Sequence, residues 1–300
     1  MASVAENQVM WQERCPWEGG GDEWSSAWGS TSTLWHATIF PRIQAFLPAK
    51  NILEIAPGFG RCTQYLESQA ATLVGVDLTT KCIDACESRF AGKNHLTFEQ
   101  NDGYSLPMIP DDSVDFVFSW DSLVHAEADV VRSYLLELSK KLHEGGTGFL
   151  HHSNLGSFLD AQGRLMISNP HWRGTTMSAK LFRDYCKEAS LVCLAQETVA
   201  WGGVGLNDCF SLFCKDESRL GTSPLVAENT TFWDEVLSLK SLERFYALEP
   251  TANWVEQAFN SARLGDHKEA LAHLDRARGD KGAQESEGVQ ELRALCLKAL

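Results

Sequence analysis

Two glycines and one aspartate form the most informative chemical pattern in this 300-residue sequence. Gly58 and Gly60 end the run Ile52–Gly60, in which an apolar, strand-like segment leads into a turn. Because glycine has no Cβ, the backbone can approach a ligand closely at both positions. The next apolar run, Thr72–Asp77, ends in a carboxylate that could hydrogen-bond the two ribose hydroxyls of an adenosine. This pattern predicts a nucleotide site.

Alternating strands and helices are predicted around these residues. Helices are predicted over residues 61–69, 80–90 and 129–143, and strands begin near Ile52, Thr72, Leu96, Asp115 and Thr147. The connections between them are short and polar. Alternation of this kind predicts an α/β fold with a doubly wound, parallel sheet, whose ligands bind at the carboxyl ends of the strands.

Two classes of nucleotide-binding protein could use such a sheet. A dinucleotide-binding oxidoreductase requires a third glycine, which packs the first helix against the first strand. The sequence has Thr63 at that position, so the dinucleotide fingerprint is incomplete. The oxidoreductase is therefore the weaker alternative.

The sequence resembles the class I S-adenosylmethionine-dependent methyltransferases over about residues 50–215. Five motifs match in order and spacing: Glu54–Gly60, Asp77, Asn101–Gly103, Val114–Asp121 and Leu142–Gly146. Two later predicted strands, residues 191–200 and 209–214, resemble the antiparallel pair that closes the sheet of these enzymes. The resemblance implies a Rossmann-like, mostly parallel, seven-stranded sheet.

The resemblance also implies that the cofactor is S-adenosylmethionine. The residues that it assigns to cofactor binding lie in the first four motifs and directly after the second. They are Glu54, Ala56, Gly58, Phe59, Gly60, Asp77, Leu78, Asn101, Asp102, Gly103 and Trp120.

Three histidines lie where such a fold places active-site groups. The methyl group of a sulfonium is already activated, so the protein must align the acceptor and take its proton. For a hydroxyl acceptor the usual base near neutral pH is histidine. His125 follows the fourth strand, and His151 and His152 end the fifth. Neighbouring strand residues face opposite sides, and we expect His152 to face the substrate, with His125 across the crevice.

Other roles for these groups remain open. His125 could instead order the loop that follows the fourth strand. Asp121 could orient a histidine or contact the cofactor. Asp121, His125 and His152 could also form a Mg²⁺ site that orients two sugar hydroxyls.

Two segments outside the sheet are predicted to contact the acceptor. Residues 1–49 hold five of the ten tryptophans and could fold over the crevice as a lid, with Trp28 and Trp35 near the substrate. Because indole is amphipathic, these side chains could instead cover an apolar edge of the core.

The second segment, residues 154–177, follows the fifth strand. Here Trp172 could lie against a sugar ring, and Arg173 could hold a carboxylate or phosphate or form a surface ion pair. His151 is a further candidate for substrate binding.

The last seventy residues differ in character from the sheet region. Their sequence pattern predicts helices over residues 232–248, 253–263, 267–278 and 284–300. Residues 258–277 resemble one tetratricopeptide helix pair, whereas a stable solenoid needs about three repeats. We therefore expect this region to pack on the sheet domain or to form a homo-oligomer. The predicted organisation is a lid (1–49), a methyltransferase domain (50–216) and a helical region (231–300).

The composition of the chain limits the kinds of partner that the protein is expected to bind. A net charge of −14 argues against nucleic acid as substrate, because binding its phosphates needs a basic surface. No apolar run approaches the ~20 residues that span a bilayer, and the first residues do not resemble a signal peptide. The nine cysteines include no close C-x-x-C pair, which predicts reduced thiols in a cytoplasmic protein.

The sequence therefore predicts an O-methyltransferase that acts on a small polar acceptor, a sugar or a hydroxylated natural-product intermediate, with histidine as general base. The alternatives are N-methylation of a small amine and methylation of a carboxylate or phosphonate oxygen, which need little help from a base. A non-catalytic scaffold acting through the helical tail is the alternative of another class. The intact Gly58, Gly60, Asp77 and Asp102 argue against that scaffold.

Overall fold

The computed structural model of the chain describes residues 3–246, 258, 261–262, 265, 267–279 and 287–299. The chain divides into two compact units, Met1–Ser238 and Leu239–Leu300. The helix predicted over residues 253–263 lies largely outside the described residues. None of the described helices is long and apolar enough to cross a membrane.

An eight-stranded sheet forms the centre of the first unit. Its spatial order is β3-β2-β1-β4-β5-β7-β6-β8. The strands are β1 Ala49–Ile55, β2 Ala70–Asp77, β3 Leu96–Gln100, β4 Val114–Ser119, β5 Leu142–Ser153, β6 Val192–Val199, β7 Asp208–Cys214 and β8 Leu225–Asn229. Strands β1 to β5 pair in parallel, and β7 is antiparallel to both β5 and β6. The predicted α/β, mostly parallel architecture is confirmed.

The prediction of seven strands was wrong by one, because it omitted β8. This strand pairs in parallel with β6 at the edge of the sheet. Leu225 and Val226 are 79% and 58% exposed, and the next two residues are also exposed. An edge strand with so little buried surface lacks the apolar alternation from which strands are recognised.

Helices cover the sheet and the amino-terminal region. In the first unit they are α1 Val4–Val9, α2 Thr31–Thr33, α3 Phe40–Ile43, α4 Thr63–Leu66, α5 Thr80–Arg89, α6 Ala128–Lys141 and α7 Ala179–Glu188, and α8 Phe232–Tyr246 follows them. Side-chain caps begin α5 and α7, where Thr79 and Ser178 accept hydrogen bonds from backbone amides. A π-helical segment, Leu34–Ile39, joins α2 to α3, so residues 31–46 are helical throughout.

The core lies on both faces of the central strands. On one face, Leu53 and Val117 pack in one cluster with Leu135 of α6. On the other face, Trp35 stacks on Tyr65 with ring centroids 5.1 Å apart and contacts Phe118. Because β1, β2 and β4 are parallel, their carboxyl ends lie at the same edge of the sheet. The polar residues at the ends of these strands lie at that edge.

Two further helices, His267–Gly279 and Glu287–Ala299, lie in the second unit. They pack through a small apolar cluster that includes Leu274, Leu292 and Cys296. The tetratricopeptide-like character of this segment stays a prediction.

A substitution at Gly148 tests the packing between β5 and β7, where the parallel and antiparallel parts of the sheet meet. A Cβ at this position in β5 would overlap the ring of Phe213 in β7. We expect Gly148→Ala to lower the free energy of unfolding by roughly 1–3 kcal/mol, because the buried ring must move. Urea denaturation measures this loss. Glu99→Ala, at an exposed position of β3, should stay within about 0.5 kcal/mol of wild type, and equal stability of the two variants would contradict the packing described.

Candidate functional site

One cavity of about 590 Å³ lies at the carboxyl ends of β1, β2 and β4. Residues of the amino-terminal segment form one wall, and the segment after β5 forms part of another. Eight of the nine tryptophans that the structure describes line this cavity: Trp11, Trp17, Trp24, Trp28, Trp120, Trp172, Trp201 and Trp233. Strands β2 and β4 flank β1, so their ends are separated by two strand spacings, about 10 Å.

The end of the cavity near β2, here called the nucleotide end, is built on Asp77, Gly58 and Asn101. One carboxylate oxygen of Asp77 accepts hydrogen bonds from the backbone amide of Thr79 (3.0 Å) and from its hydroxyl (3.2 Å). The other oxygen accepts from the amide of Gly58 at 3.2 Å. Burial raises the pKa of Asp77 to about 6. The carboxylate is thus fixed in place and partly desolvated.

The glycine turn is closed from above by the amino-terminal segment. Gly58 has φ +59°, and a Cβ there would lie 3.1 Å from the Trp17 indole. Trp17 stacks on Phe59 with centroids 4.4 Å apart and planes 6° apart. A larger residue at position 58 would therefore be strained and would displace Trp17.

Thr63 has a specific role in place of the third glycine of a dinucleotide fingerprint. Its hydroxyl donates to the buried carboxylate of Glu54 at 2.6 Å. Burial raises the pKa of Glu54 to about 7. The side chain that breaks the dinucleotide pattern therefore supports the acidic residue at the end of β1.

The third motif divides its residues between the cavity and the loop. Asn101 is buried in the cavity wall and donates to the hydroxyl of Tyr134 at 2.8 Å. Asp102 is exposed, and its carboxylate accepts from the amides of Tyr104 and Ser105 at 2.8 and 2.7 Å. The Asp102 side chain therefore orders the turn and does not line the cavity.

Nine of the eleven residues predicted for the cofactor lie in the cavity wall, and two do not. Gly60 and Asp102 lie outside it. The nine are Glu54, Ala56, Gly58, Phe59, Asp77, Leu78, Asn101, Gly103 and Trp120.

A buried ion network lies behind the other end of the cavity, here called the tryptophan end. Arg173 contacts Asp208 at 2.9 Å and Asp121 at 3.2 Å, and Arg61 contacts the second oxygen of Asp121 at 3.4 Å. His151 donates from Nε2 to Asp208 at 3.0 Å, since its Nδ1 accepts from the Asp121 amide. Burial alone would raise the pKa of Asp208, but Arg173 and His151 outweigh it and lower the pKa to about 2. Two arginines and two carboxylates thus balance one another.

His125 lines the cavity in a defined tautomer. Its Nδ1 lies 3.1 Å from the carbonyl oxygen of Trp172. Because a carbonyl only accepts, the proton is on Nδ1 and Nε2 carries the lone pair. Burial, reinforced by the charge of Arg173, lowers the pKa of His125 to about 4. His125 is therefore a neutral hydrogen-bond acceptor near neutral pH.

The expected orientation of His151 and His152 is reversed. His152 is fully buried, stacks on Phe182 at 4.7 Å, and bonds the carbonyl of Ser153 and the hydroxyl of Ser211, each at 2.8 Å. Both of its ring nitrogens are thus occupied on the face away from the cavity. Strand alternation is as predicted, but it turns His151 to the ligand side, where that residue supports the wall from behind.

The three residues considered for Mg²⁺ do not converge. Asp121 lies between two arginines, and His152 is on the opposite face of the sheet from His125. Within the described residues, no group of three or more His, Cys, Asp or Glu side chains is placed to hold a metal ion. This donor set does not fit a magnesium site.

The residues predicted for the acceptor are also divided. Trp28 lines the cavity but is 1% exposed and donates to Thr38, whereas Trp35 is buried in the core away from the cavity. Trp172 is 67% exposed at the cavity mouth. Arg173 is 5% exposed, so it is not a surface ion-pair partner, and two carboxylates already occupy its guanidinium.

Sequence reasoning missed three important side chains of the site. Arg61 is adjacent to the glycine turn, Trp201 belongs to the turn between β6 and β7, and Asp208 begins β7. Only Asp208 has a local signal, since a charged residue at the start of an otherwise apolar strand is unusual. Its partners come from β5 and a distant loop, so pairing could not be deduced from spacing.

Glu54 gives a test of this electrostatic picture. Its pKa in the folded state, about 7, exceeds its ordinary value of 4.5, so the native state holds a proton that the unfolded chain releases. That stabilisation is complete below pH 4.5 and is lost as the pH rises through 7. The free energy of unfolding of wild type minus that of Glu54→Gln should fall between pH 5 and 7, by at most about 1.4 kcal/mol per pH unit. Taking this difference removes the contributions of titrating groups that do not interact with Glu54.

Urea denaturation at several pH values measures this difference. Glu99→Gln, an exposed change in β3, serves as the control and should give a pH-independent difference. A pH-independent difference for Glu54→Gln as well would show that Glu54 has an ordinary pKa in the native protein.

Comparisons with known proteins agree with this geometry. A family model described as a methyltransferase domain matches residues 52–146. Phosphoethanolamine N-methyltransferase 1 of Triticum aestivum is 29% identical over 149 residues, which are 48% of this chain and 30% of that protein. Ribosomal RNA small subunit methyltransferase A of Prochlorococcus marinus is 38% identical over 65 residues, 21% of this chain and 23% of that protein. The chain thus spans under a third of the length of either relative.

The fold has a relative among solved structures. The PH0226 protein of Pyrococcus horikoshii OT3 superposes with a TM-score of 0.50 at 18% identity, over 69% of this chain and 95% of that protein. The family model thus matches residues 52–146 to a methyltransferase domain, and the sheet that contains them shares its fold with this solved structure.

Proposed function

We propose that this protein transfers a methyl group from S-adenosylmethionine to a hydroxyl of a small polar acceptor. The observation that carries the proposal is one continuous cavity that includes both the fixed carboxylate of Asp77 and the ring of His125. The match of residues 52–146 to a methyltransferase domain supports it.

The nucleotide end fits the cofactor. Asp77 is held so that its carboxylate can accept hydrogen bonds from two ribose hydroxyls, and Gly58 lets the backbone come close. Two desolvated carboxylates, Glu54 and Asp77, favour a ligand that carries positive charge. When bound, S-adenosylmethionine supplies an activated methyl group on its sulfonium.

The tryptophan end supports a neutral, polar acceptor. The positive charges of Arg61 and Arg173 are balanced by Asp121 and Asp208, so neither guanidinium is free to bind a carboxylate or phosphate. Indole faces can pack against the C–H face of a sugar ring while polar tips bond its hydroxyls. His125, neutral and in the cavity wall, would accept the proton of the attacking hydroxyl.

N-methylation of a small amine is the second candidate. Trp11 contacts Trp17 and Trp24 with centroids 5.8 and 6.1 Å apart, and the carboxylate-bearing Glu23 lines the same cavity. Aromatic rings beside an acid suit an ammonium group. The relative named phosphoethanolamine N-methyltransferase 1 supports a small-molecule acceptor of this kind.

RNA is a third class of acceptor, raised by the relative named for ribosomal RNA. That likeness covers 21% of this chain, and the net charge of −14 disfavours a polyanion. A small molecule is therefore the acceptor class that we favour.

Asp77 tests cofactor binding. We expect Asp77→Asn to weaken S-adenosylhomocysteine binding about tenfold, because an amide replaces a carboxylate acceptor of two hydroxyls. Wild-type affinity should fall as the pH is lowered through about 6, where Asp77 becomes protonated, and the variant should lose this step and keep only the dependence due to Glu54 near pH 7. Calorimetry measures both effects. Asp84→Asn, an exposed change on α5, is the matched control, and equal affinity of the two variants would remove Asp77 from the site.

His125 distinguishes the two acceptor classes. With an acceptor found by screening hydroxylated small molecules and amines, His125→Gln should lower turnover about 10²- to 10⁴-fold if a hydroxyl is methylated. S-adenosylhomocysteine affinity should stay within about threefold of wild type, since His125 lies at the other end of the cavity. The exposed His36→Gln is the control. Retained turnover in His125→Gln would favour an amine, and failure of the wild type to bind S-adenosylhomocysteine would favour the non-catalytic scaffold.

A further inference from the structure

We infer that Arg173 is a positioning residue for His125: anchored by Asp208 and Asp121, it holds the Trp172 carbonyl that keeps the His125 proton on Nδ1 and leaves Nε2 free to accept. The sequence had suggested that Arg173 binds an anionic group of the substrate. That His125 accepts a proton from the substrate rests on the proposed function. The contacts that link Arg173 to His125 do not depend on it.

The guanidinium of Arg173 is buried and makes several hydrogen bonds to carboxylates. The Nε of Arg173 lies 3.3 and 3.2 Å from the two carboxylate oxygens of Asp208, and Nη2 lies 2.9 Å from one of them. The same Nη2 contacts Asp121 at 3.2 Å, and the guanidinium lies 5.1 Å from the Trp201 ring centroid. With these partners the guanidinium has little freedom to leave for a ligand.

The backbone on both sides of Arg173 is fastened as well. The Asn169 side chain accepts from the amide of Arg173 and donates to its carbonyl, each at 2.8 Å. The amide of Gly174 donates to the carbonyl of Val124 at 2.7 Å, and a Cβ at Gly174 would overlap the Ala126 carbonyl. This segment is therefore packed directly against the loop that carries His125.

Trp172 is held in a conformation that it would not adopt freely. Its φ is +52°, a region unfavourable for a bulky side chain, and the side chain is largely exposed. Packing of the indole therefore does not account for the strain. The conformation persists because the neighbouring contacts of Asn169 and Arg173 determine it, and it directs the Trp172 carbonyl to Nδ1 of His125 at 3.1 Å.

Arg173 also acts on His125 through its charge. The charged groups that act on His125 are Arg173, which disfavours its protonation, and Asp121 and Asp208, which favour it. The Trp11 ring covers it at 5.2 Å, and Asn7 donates to its backbone carbonyl at 3.0 Å. Removing Arg173 should thus change both the tautomer and the titration of His125. If Arg173 only stabilised the fold, its removal would change neither.

Ring ¹⁵N correlation spectroscopy of the full-length protein tests this linkage. The His125 signals are identified by their loss in His125→Gln. In wild type we expect the Nδ1–H tautomer and no protonation down to about pH 5, in line with the lowered pKa. In Arg173→Met we expect a substantial population of the Nε2–H tautomer and a titration midpoint about one pH unit higher.

Two further variants separate the causes. Asn169→Ala keeps the ion pairs but releases the backbone of residue 173, so the tautomer should change. The titration midpoint should fall and not rise, because the bond to the Trp172 carbonyl favours the protonated ring while Arg173 still disfavours it. Arg42→Met is the matched control: Arg42 makes a two-point ion pair with Glu197 at 2.7 Å, away from His125, and its loss should leave the His125 signals unchanged. Asn169→Ala also decides the question if Arg173→Met does not fold.

The inference is overturned if His125 keeps a single Nδ1–H tautomer and the wild-type midpoint in folded Arg173→Met, or keeps the tautomer in Asn169→Ala. It is equally overturned if Arg42→Met shifts His125 as much as Arg173→Met does. Titration of the same samples with S-adenosylhomocysteine separates this outcome from failure of the proposed function. A wild type that does not bind S-adenosylhomocysteine refutes the function, while the histidine signals still decide the role of Arg173.

Discussion

The buried ion pair between Arg173 and Asp208 is the interaction on which the tryptophan end of the cavity depends. Asp208 begins β7 and is fully buried, and Arg173 reaches it from the segment after β5. Asp208 also bonds His151, and Arg173 also bonds Asp121, so four parts of the chain meet in one ion network. Removing one partner of such a pair typically costs about 3–5 kcal/mol, because the other charge stays buried. Balanced charges here leave the cavity wall polar but neutral.

The two ends of the cavity thus have opposite electrostatic designs. At the nucleotide end, Glu54 and Asp77 are desolvated and no arginine lies within hydrogen-bonding distance of either carboxylate in the described structure, so both pKa values rise. At the tryptophan end, Asp121 and Asp208 each have a guanidinium partner. The first arrangement favours a cationic ligand and the second a neutral one, which suits the proposed methyl transfer from a sulfonium to a hydroxyl.

The sequence predicted those features that are encoded in short segments. The glycine turn at Gly58 and the acid at Asp77 were found because backbone approach and a strand-terminal carboxylate have local signatures. The parallel sheet was found because strands and helices alternate. Trp35 and His152 were assigned to the ligand side although both are buried in the core, since local sequence does not fix which face of an element meets the cavity.

The pairing of Asp208 with Arg173 could not be predicted from the sequence for another reason. Their pairing joins positions 35 residues apart and depends on the antiparallel contact of β5 with β7, so no spacing rule could reveal it. Strand β8 escaped prediction for a different reason: most of its side chains are exposed and carry no burial pattern.

The structure of the complex with S-adenosylhomocysteine is the most direct test of the account. It should place the ribose hydroxyls within hydrogen-bonding distance of the Asp77 carboxylate and the sulfur on the side of the cavity that holds His125 and the tryptophans. A ligand bound with its ribose away from Asp77, or with its sulfur directed away from His125, would contradict the assignment of one cavity to both cofactor and acceptor.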